Sequence, residues 1–226
     1  MKKGIAYCVG VGPGDPELMT LKAIRIIREN DVIAVPGKDH RKAVSYRTAL
    51  KNVPEIIEKE VISLHMPMVK DMELLRKEHR KCANIIESFL DKGKNVVYLT
   101  IGDPTIYCTF TYLQHILEAD GYQTELINGV TSFCSAAAKL NVPLAEWDEQ
   151  LHILPAMHKT DEGLSCSGNY VLMKSGSQMK AVKEMLRESG REVCAVENCS
   201  MENEKIYRSL DDIPDDAGYF SLIIAK

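Results

Sequence analysis

The sequence predicts an α/β protein that consists of two α/β domains, each with strands and helices in alternation. Apolar runs rich in β-branched and aromatic residues, such as Ile5-Ala6-Tyr7-Cys8-Val9 and Asn95-Val96-Val97-Tyr98, recur between amphipathic helical segments along the chain. Both of these runs lead into glycine turns, and Asp120-Gly121 breaks the alternation in the middle. We therefore expect domains at residues 1–120 and 121–226, with the binding site in the cleft that joins them.

Composition narrows the function classes. The 226 residues are 45% hydrophobic and 27% charged, as in ordinary globular proteins, and the formal net charge is -4. An acidic balance disfavours nucleic acid as the main partner, because binding its backbone needs a basic surface. No apolar run approaches the roughly 18–20 residues that span a bilayer, and the first residues do not resemble a signal peptide. We expect a cytoplasmic protein that acts on a small molecule.

The cysteines and histidines do not form a metal-binding pattern. None of the seven cysteines belongs to a Cys-x-x-Cys pair, and none of the six histidines to a His-x-x-x-His pair. In a reducing compartment the cysteines are expected to be small buried apolar residues. No protein-bound metal is predicted.

The first strand leads into a glycine-rich turn, Gly10-Val11-Gly12-Pro13-Gly14. Asp15 then has the character of a helix N-cap, with Pro16 in the first helical position. The glycine spacing is not Gly-x-Gly-x-x-Gly, so a nicotinamide dinucleotide site is disfavoured. The apolar face of the predicted helix comprises Leu18, Leu21, Ile24 and Ile27.

A second strand, residues 31–36, precedes a basic stretch that continues to Arg47. This stretch is either a solvated loop or a mobile rim that meets an anionic ligand. A long helix is predicted over residues 70–90, and Gly93 ends it.

The central motif follows the run at 95–98: Leu99-Thr100-Ile101-Gly102-Asp103-Pro104. Asp103 is a favourable N-cap and Pro104 a favourable first helical residue, so a helix should start here, and the pattern from Tyr107 to Ala119 is helical. A strand that opens through a glycine turn into a helix is where open α/β sheets bind ligands. In the second half, the pattern predicts strands at 124–127, 151–155, 170–174, 192–197, 204–209 and 219–224, and helices at 134–140 and 178–189. Thr131 or Ser132 is expected to cap the helix at 134–140.

Four ordered blocks resemble the tetrapyrrole methylases, the class III S-adenosylmethionine-dependent methyltransferases, and together they span essentially the whole chain. The blocks are residues 10–20, Gly102-Asp103-Pro104, Gly129-Val130-Thr131-Ser132 and residues 171–174. Segments 107–112, 131–138 and 143–146 resemble the branch that methylates carbon 20 of precorrin-2 or its cobalt chelate (cobalt-factor II, cobalt-precorrin-2) in cobalamin biosynthesis. Asn128 departs from the family pattern, because relatives usually carry proline there.

The resemblance implies S-adenosylmethionine folded into the cleft between two α/β domains, and a homodimer. By position, the cofactor contacts would be Pro13, Gly102, Asp103, Ile106, Thr131, Ser132 and Met173. Main-chain groups of Gly102 and the two hydroxyls would serve the amino-acid end and the ribose. The Asp103 carboxylate would meet an ammonium or a sugar hydroxyl, and Ile106 and Met173 would cover the adenine.

The implied reaction asks little of side chains, because the methyl group is already activated and the enzyme mainly aligns the reactants. Tyr107 and Glu17, and beside them Tyr7 and His158, are candidates for a base that removes the carbon-20 proton. The substrate carries eight carboxylates, so Lys38, Arg41, Lys42 and Arg47 are predicted to form its anionic rim.

Other functions remain open at this stage. The chain resembles family members that act at another ring carbon, on uroporphyrinogen III or on the diphthamide precursor as well. A non-catalytic S-adenosylmethionine-binding module and, less favoured, a nicotinamide oxidoreductase are the alternatives outside that activity. The sequence leaves open whether a tetrapyrrole substrate would carry cobalt.

Overall fold

The structure is a computed structural model that describes residues 2–67, 69, 71–156 and 163–226. The chain divides into two compact units, Met1–Thr131 and Ser132–Lys226. The division falls later than the predicted break at Asp120-Gly121, because the strand at Gln123–Ile127 pairs with the first strand of the chain.

The first unit contains a five-stranded sheet in the order β3-β2-β4-β1-β5, and every neighbouring pair is parallel. The carboxyl ends of all five strands therefore lie at one edge, and the loops that follow them meet there. The strands are β1 (Ile5–Gly10), β2 (Val32–Pro36), β3 (Glu60–Leu64), β4 (Val96–Thr100) and β5 (Gln123–Ile127).

Four helices cover the two faces of this sheet: α1 (Leu21–Glu29), α2 (Val44–Asn52), α3 (Met72–Leu90) and α4 (Phe110–Ala119). Successive strand residues point to opposite faces. Val9 accordingly packs in the core formed with α1 and α2, and Cys8 in the core formed with α3 and α4. Both faces are buried, which explains why the strands are continuous apolar runs rather than alternating ones.

The predicted positions of two helix starts are wrong. Asp15 caps only a 3-10 turn, Pro16–Leu18, and α1 begins later with Thr20 as its N-cap. The broken helix leaves the Leu21 side chain 86% exposed instead of on the apolar face. After β4, the chain makes turns through residues 104–108, and α4 begins at Phe110 rather than at Pro104.

The basic stretch is also more ordered than a loop. His40–Lys42 forms a 3-10 turn, and α2 starts two residues later, with Ser45 and Tyr46 buried. Both residues lie on α2 itself, and their burial depends on tertiary packing, which the polar composition of this stretch conceals.

The second unit contains a mixed sheet in the order β6-β7-β10-β8-β9, in which only β6 and β7 are parallel. Helix α6 packs on this sheet through Met179, Val182 and Leu186, which join Tyr170 and Leu172 in one apolar core. The elements are α5 (Ser132–Leu140), β6 (Leu151–Pro155), β7 (Asn169–Met173), α6 (Met179–Ser189), β8 (Val193–Glu197), β9 (Lys205–Tyr207) and β10 (Ser221–Ala225).

The cysteines only partly follow the expectation of burial. Cys8, Cys82 and Cys199 are buried, whereas Cys134 and Cys166 are exposed. In the described part of the chain, no helix combines the length and the apolar character that a membrane crossing requires.

A buried carboxylate in the second unit predicts acid sensitivity. Glu197 at the end of β8 accepts hydrogen bonds from the Gly218 amide (2.8 Å) and the Tyr207 hydroxyl (2.9 Å). Burial alone would raise the pKa of Glu197, but these hydrogen bonds and Lys205 outweigh it, so the pKa is lowered. A lowered folded-state pKa means that the stabilisation is present above the unfolded-state pKa and is lost as the pH falls through the folded-state pKa.

Glu197→Gln should therefore lower the free energy of unfolding by about 2 kcal/mol at pH 7. The difference should shrink as the pH falls below the ordinary glutamate pKa and should vanish only below the lowered folded-state pKa, where the wild-type carboxyl is protonated in the folded protein as well. Urea unfolding at pH 7, 5 and 3 measures this difference. A gap that stays constant across the three pH values contradicts the assignment.

Candidate functional site

The loops after β1 and β4 are joined by main-chain hydrogen bonds at the carboxyl edge of the first sheet. The Gly102 amide donates to the Gly12 carbonyl at 2.8 Å, and the Gly12 amide donates to the Gly102 carbonyl at 3.3 Å. The Val11 amide donates to the Thr100 carbonyl at 2.9 Å. The Gly102 amide is thus already used within the protein, and its carbonyl already accepts one hydrogen bond.

The same loops and the loop after β5 approach so closely that side chains do not fit. A Cβ atom at Gly10 would lie 2.5 Å from the Gly102 carbonyl oxygen and 2.8 Å from the Gly129 nitrogen. A Cβ atom at Gly129 would overlap the Gly102 carbonyl oxygen and lie 2.8 Å from the carbonyl group of Gly10. The glycines of the predicted binding motifs thus allow one loop to pack on another, in addition to any approach of a ligand.

Asp103 does not act as the predicted helix cap. Its side chain is 6% exposed, and its Oδ1 accepts hydrogen bonds from the amide and hydroxyl of Thr105. Its Oδ2 accepts from the Asn128 side-chain amide at 3.1 Å and the Gly129 main-chain amide at 3.0 Å. The carboxylate therefore joins the loops after β4 and β5, and protein donors occupy both of its oxygens.

Hydrogen bonding also sets the charge of Asp103. Burial on its own would raise the pKa of Asp103, but the bonds from Thr105, Asn128 and Gly129 lower it below the usual aspartate value. The group is an anion at neutral pH. The role predicted for this side chain, a contact to an ammonium or a sugar hydroxyl, is the role that this geometry least favours.

The Thr131 hydroxyl, unlike the Asp103 carboxylate, lacks hydrogen-bond partners among the described residues. Its oxygen atom is buried. Thr131 directly precedes α5, but its hydroxyl makes no capping bond there. A buried hydroxyl without a partner costs about 1–3 kcal/mol, so a ligand that pairs with it is favoured. This orphaned group fits the predicted hydroxyl contact to the cofactor.

The remaining predicted cofactor residues occupy several elements. Pro13 is buried in the loop after β1, and Ile106 is half-buried in the turns after β4. Ser132 is the first residue of α5. Met173 is the last residue of β7 in the second unit and is half-buried. Their contacts with a cofactor remain predictions.

The basic residues of the predicted rim follow β2 at the same sheet edge. Lys38, Arg41, Lys42 and Arg47 are all exposed, and they form no ion pair within the described ranges. The N-terminus of α2 follows directly, and its N-cap residue Ala43 provides no side-chain hydrogen bond. The uncapped helix end adds partial positive charge to the four cations. This surface suits a carboxylate-rich ligand.

The four candidate bases differ in where they lie relative to the loops at the carboxyl edge of the first sheet. Tyr107 lies in the turns after β4 with φ of 49° and 42% exposure, and burial raises its pKa. Glu17 is exposed in the 3-10 turn after the first loop. Tyr7 lies three residues before the end of β1, beside Glu125 of β5, and burial followed by Glu125 raises its pKa. His158 lies outside the described residues.

Two contributors were not among the predicted site residues. The Thr20 hydroxyl donates to the Asn128 carbonyl at 3.2 Å and accepts from the Ala23 amide, so it joins α1 to the loop after β5. The Asn128 side chain is a donor to Asp103. Asn128 stood out in the sequence analysis, but the sequence could not indicate its partner, because Asp103 lies 25 positions away. Across the described ranges, no cluster of three or more His, Cys, Asp or Glu could hold a metal ion.

Comparison with known proteins gives a family match along most of the chain. The family described as Tetrapyrrole (Corrin/Porphyrin) Methylases matches residues 6–214. A Methanocaldococcus jannaschii protein named "Probable cobalt-precorrin-2 C(20)-methyltransferase" is 34% identical over 97% of this chain and 95% of its own length. The Salmonella typhimurium cobalt-precorrin-2 C(20)-methyltransferase is 27% identical, over 99% and 96%. A Sinorhizobium precorrin-2 C(20)-methyltransferase is 28% identical, over 96% and 92%.

Solved structures share the fold. A cobalt-precorrin-4 methyltransferase aligns with a TM-score of 0.77 over 98% of this chain and 94% of the other, at 23% identity. Uroporphyrin-III C-methyltransferase from Thermus thermophilus, complexed with S-adenosylhomocysteine, aligns with a TM-score of 0.71 over 98% and 97%, at 21% identity. At these identities, the likeness concerns the fold alone.

Proposed function

Since the chain belongs to the tetrapyrrole methylase family, we propose that it transfers a methyl group from S-adenosylmethionine to carbon 20 of cobalt-precorrin-2 (cobalt-factor II) in cobalamin biosynthesis. The observation that carries this proposal is the 34% identity, over nearly the full length of both chains, to a relative named for that reaction. The alternative substrate is metal-free precorrin-2, which appears in the name of another relative that is 28% identical to this chain.

The proposed chemistry assigns modest tasks to the protein. The sulfonium supplies an activated methyl group, and a bridging carbon of a reduced tetrapyrrole is an enamine-like nucleophile. The chain must hold the two in line at about 3–3.5 Å and exclude water. The densely packed glycine loops suit this task, because they form a rigid edge from main-chain atoms.

The proposed cofactor contacts follow from the groups that remain available. The orphaned Thr131 hydroxyl and the Ser132 hydroxyl would bind polar groups of the cofactor, together with the carbonyl of Gly102. Ile106 and Met173 would cover the adenine. Pro13 and the main chain of Asp103 would line the site, while the Asp103 carboxylate stays bound to Asn128 and Gly129.

The first test is an anaerobic methyl-transfer assay. Cobalt-factor II, precorrin-2 and uroporphyrinogen III are supplied in parallel with S-adenosylmethionine, and mass spectrometry follows one added methyl group. Turnover of the cobalt form alone is the expected result. Turnover of uroporphyrinogen III, or of none of the three while S-adenosylhomocysteine still binds, would exclude the proposed substrate but retain the cofactor.

The rim yields a prediction about substrate affinity. The double substitution Arg41→Gln with Arg47→Gln removes two exposed cations at the edge that follows β2. We expect the KM for the tetrapyrrole to rise about fivefold and to become less dependent on salt, because exposed charges act through screened attraction. The KM for S-adenosylmethionine should not change.

Arg25 and Arg28 on α1 offer a matched control, because both are already engaged in ion pairs with Glu29 and Glu55. Their double replacement by glutamine should leave both KM values unaltered. Unchanged tetrapyrrole kinetics in the Arg41/Arg47 variant would remove these residues from the rim.

The family resemblance further supports a cytoplasmic homodimer as part of the proposal. Light scattering coupled to size-exclusion chromatography tests the dimer directly. A mass of about 51 kDa, twice that of the 25.3 kDa chain, is expected, and a monomeric mass would contradict it.

A further inference from the structure

The loops after β4 and β5 are tied together although their strands are not neighbours. β1 lies between them in the sheet, so the two strands are separated by two strand spacings, about 9.6 Å. The Asp103 carboxylate spans this gap, with Thr105 donating to one oxygen and Asn128 and Gly129 donating to the other. The link passes the end of β1 where Gly10 lacks a side chain.

We propose that Asp103 and Asn128 are positioning residues for the cofactor: their hydrogen bond, with that from Gly129, holds the segment 129–131 in register with Gly102. The proposal rests on the proposed function, because it concerns the site where S-adenosylmethionine would bind. It assigns to the Asp103 side chain a task within the protein instead of a contact with the ligand.

The position of Thr131 explains why this link matters for binding. Thr131 follows Gly129 by two residues, and its hydroxyl, like those of Ser45 and Ser175, is buried without a partner among the residues that the structure describes. A hydrogen bond to a ligand depends on the placement of the donor within a few tenths of an ångström. Anchoring Gly129 through its amide to Asp103 limits how far Thr131 can move relative to the loop after β4.

Asn128 allows the proposal to be tested without dismantling the fold. The residue is exposed, so truncation leaves no cavity. Its main chain is held separately, because its carbonyl accepts from the Thr20 hydroxyl at 3.2 Å. Asn128→Ala therefore removes one side-chain donor to Asp103 and little else.

The experiment measures S-adenosylhomocysteine binding by calorimetry, with the melting temperature of each variant as a second readout. Asn128→Ala should weaken binding about fivefold. Asn128→Asp, which has the same size but places a second carboxylate against Asp103, should weaken it more. Asn95→Ala is the matched control, because Asn95 makes comparable bonds to Ile5 and Asn30 just before β4, at the opposite edge of the same sheet. It should lower the melting temperature and leave the affinity unchanged.

A double-mutant cycle identifies Asp103 as the partner. In an Asp103→Asn background, Asn128→Ala should change the affinity less than in the wild type, because the amide has lost the negative charge and keeps one acceptor oxygen for the donors of Thr105, Asn128 and Gly129. Steady-state kinetics of Asn128→Ala and of Asp103→Asn should show a raised KM for S-adenosylmethionine and an unchanged KM for the tetrapyrrole. If the two residues had only a structural role, their replacement would lower the fraction of active enzyme, and hence the apparent kcat, without changing either KM. Because KM does not depend on the concentration of active enzyme, this comparison remains possible even if Asp103→Asn folds poorly.

The outcomes separate the two proposals. If the wild-type protein does not bind S-adenosylhomocysteine, the proposed function is wrong. If it binds and Asn128→Ala and Asn95→Ala have equal affinities, the proposed function stands and the positioning role is overturned. Additive effects of Asn128→Ala and Asp103→Asn would likewise overturn it.

Discussion

Replacing Gly129 with alanine should abolish S-adenosylhomocysteine binding, with an affinity loss of more than about 100-fold, and should destabilise the first unit by about 3 kcal/mol. The new methyl group would overlap the Gly102 carbonyl oxygen and meet the Gly10 carbonyl group at 2.8 Å. These neighbours are main-chain atoms, Gly10 at the end of β1 and Gly102 in a loop bonded to Gly12, so they cannot turn aside as a flexible side chain would. Relief of the clash requires the loops after β1, β4 and β5 to separate.

Calorimetry and thermal unfolding of Gly129→Ala measure the two effects. Gly121→Ala is the control, because no atom lies within 4 Å of a Cβ atom there while the backbone φ is 78°. That variant should lose about 1 kcal/mol to backbone strain and retain its affinity. An alanine at 129 that binds as well as the wild type would refute the close packing of the loops.

Thr131→Val should change stability and binding in opposite directions. The buried Thr131 hydroxyl has no partner within the described ranges, so replacing it with a methyl group of similar size should leave the ligand-free protein as stable or about 1 kcal/mol more stable. Under the proposed function the same hydroxyl pairs with the cofactor, and its loss should weaken S-adenosylhomocysteine binding by about thirtyfold.

Urea unfolding without ligand and calorimetry with it measure the two signs. Thr48→Val is a useful contrast, because the buried Thr48 hydroxyl already donates to the Val44 carbonyl at 2.9 Å. That variant should lose stability and keep its affinity. A Thr131→Val protein that is less stable without ligand would show that the hydroxyl has a partner, and unchanged binding would remove Thr131 from the site.

The family and the central strands could be predicted from the sequence for a local reason. β-branched runs such as Val96–Thr100 are buried on both faces, so their apolar pattern is continuous and independent of distant detail. The glycine motifs are equally local, since each loop carries its own. Family membership followed from the order of such motifs along the chain, and the match over residues 6–214 confirmed it.

Helix starts were harder to predict because several residues compete to cap one helix. Asp15 and Asp103 are both followed by proline and have good capping chemistry, yet neither begins an α-helix. At Asp103 one carboxylate oxygen accepts from nearby Thr105, and the other accepts from Asn128 and Gly129, which lie 25 and 26 positions away. Local propensity does not include such partners. For the same reason, the burial of Ser45 and Tyr46 in a polar stretch escaped prediction.

By itself, the sequence determined the α/β class, the family, and the identity of the loops that carry the proposed cofactor residues, because these depend on residue type and order. Only the tertiary structure decided what each group in those loops does. It showed that other groups of the protein bind the Gly102 amide and the Asp103 carboxylate, and that the Thr131 hydroxyl has no partner within the described part of the chain. The physical reason is that a hydrogen-bonding group is defined by its partners, and in this sheet the partners come from loops about 25 to 100 residues apart in the chain.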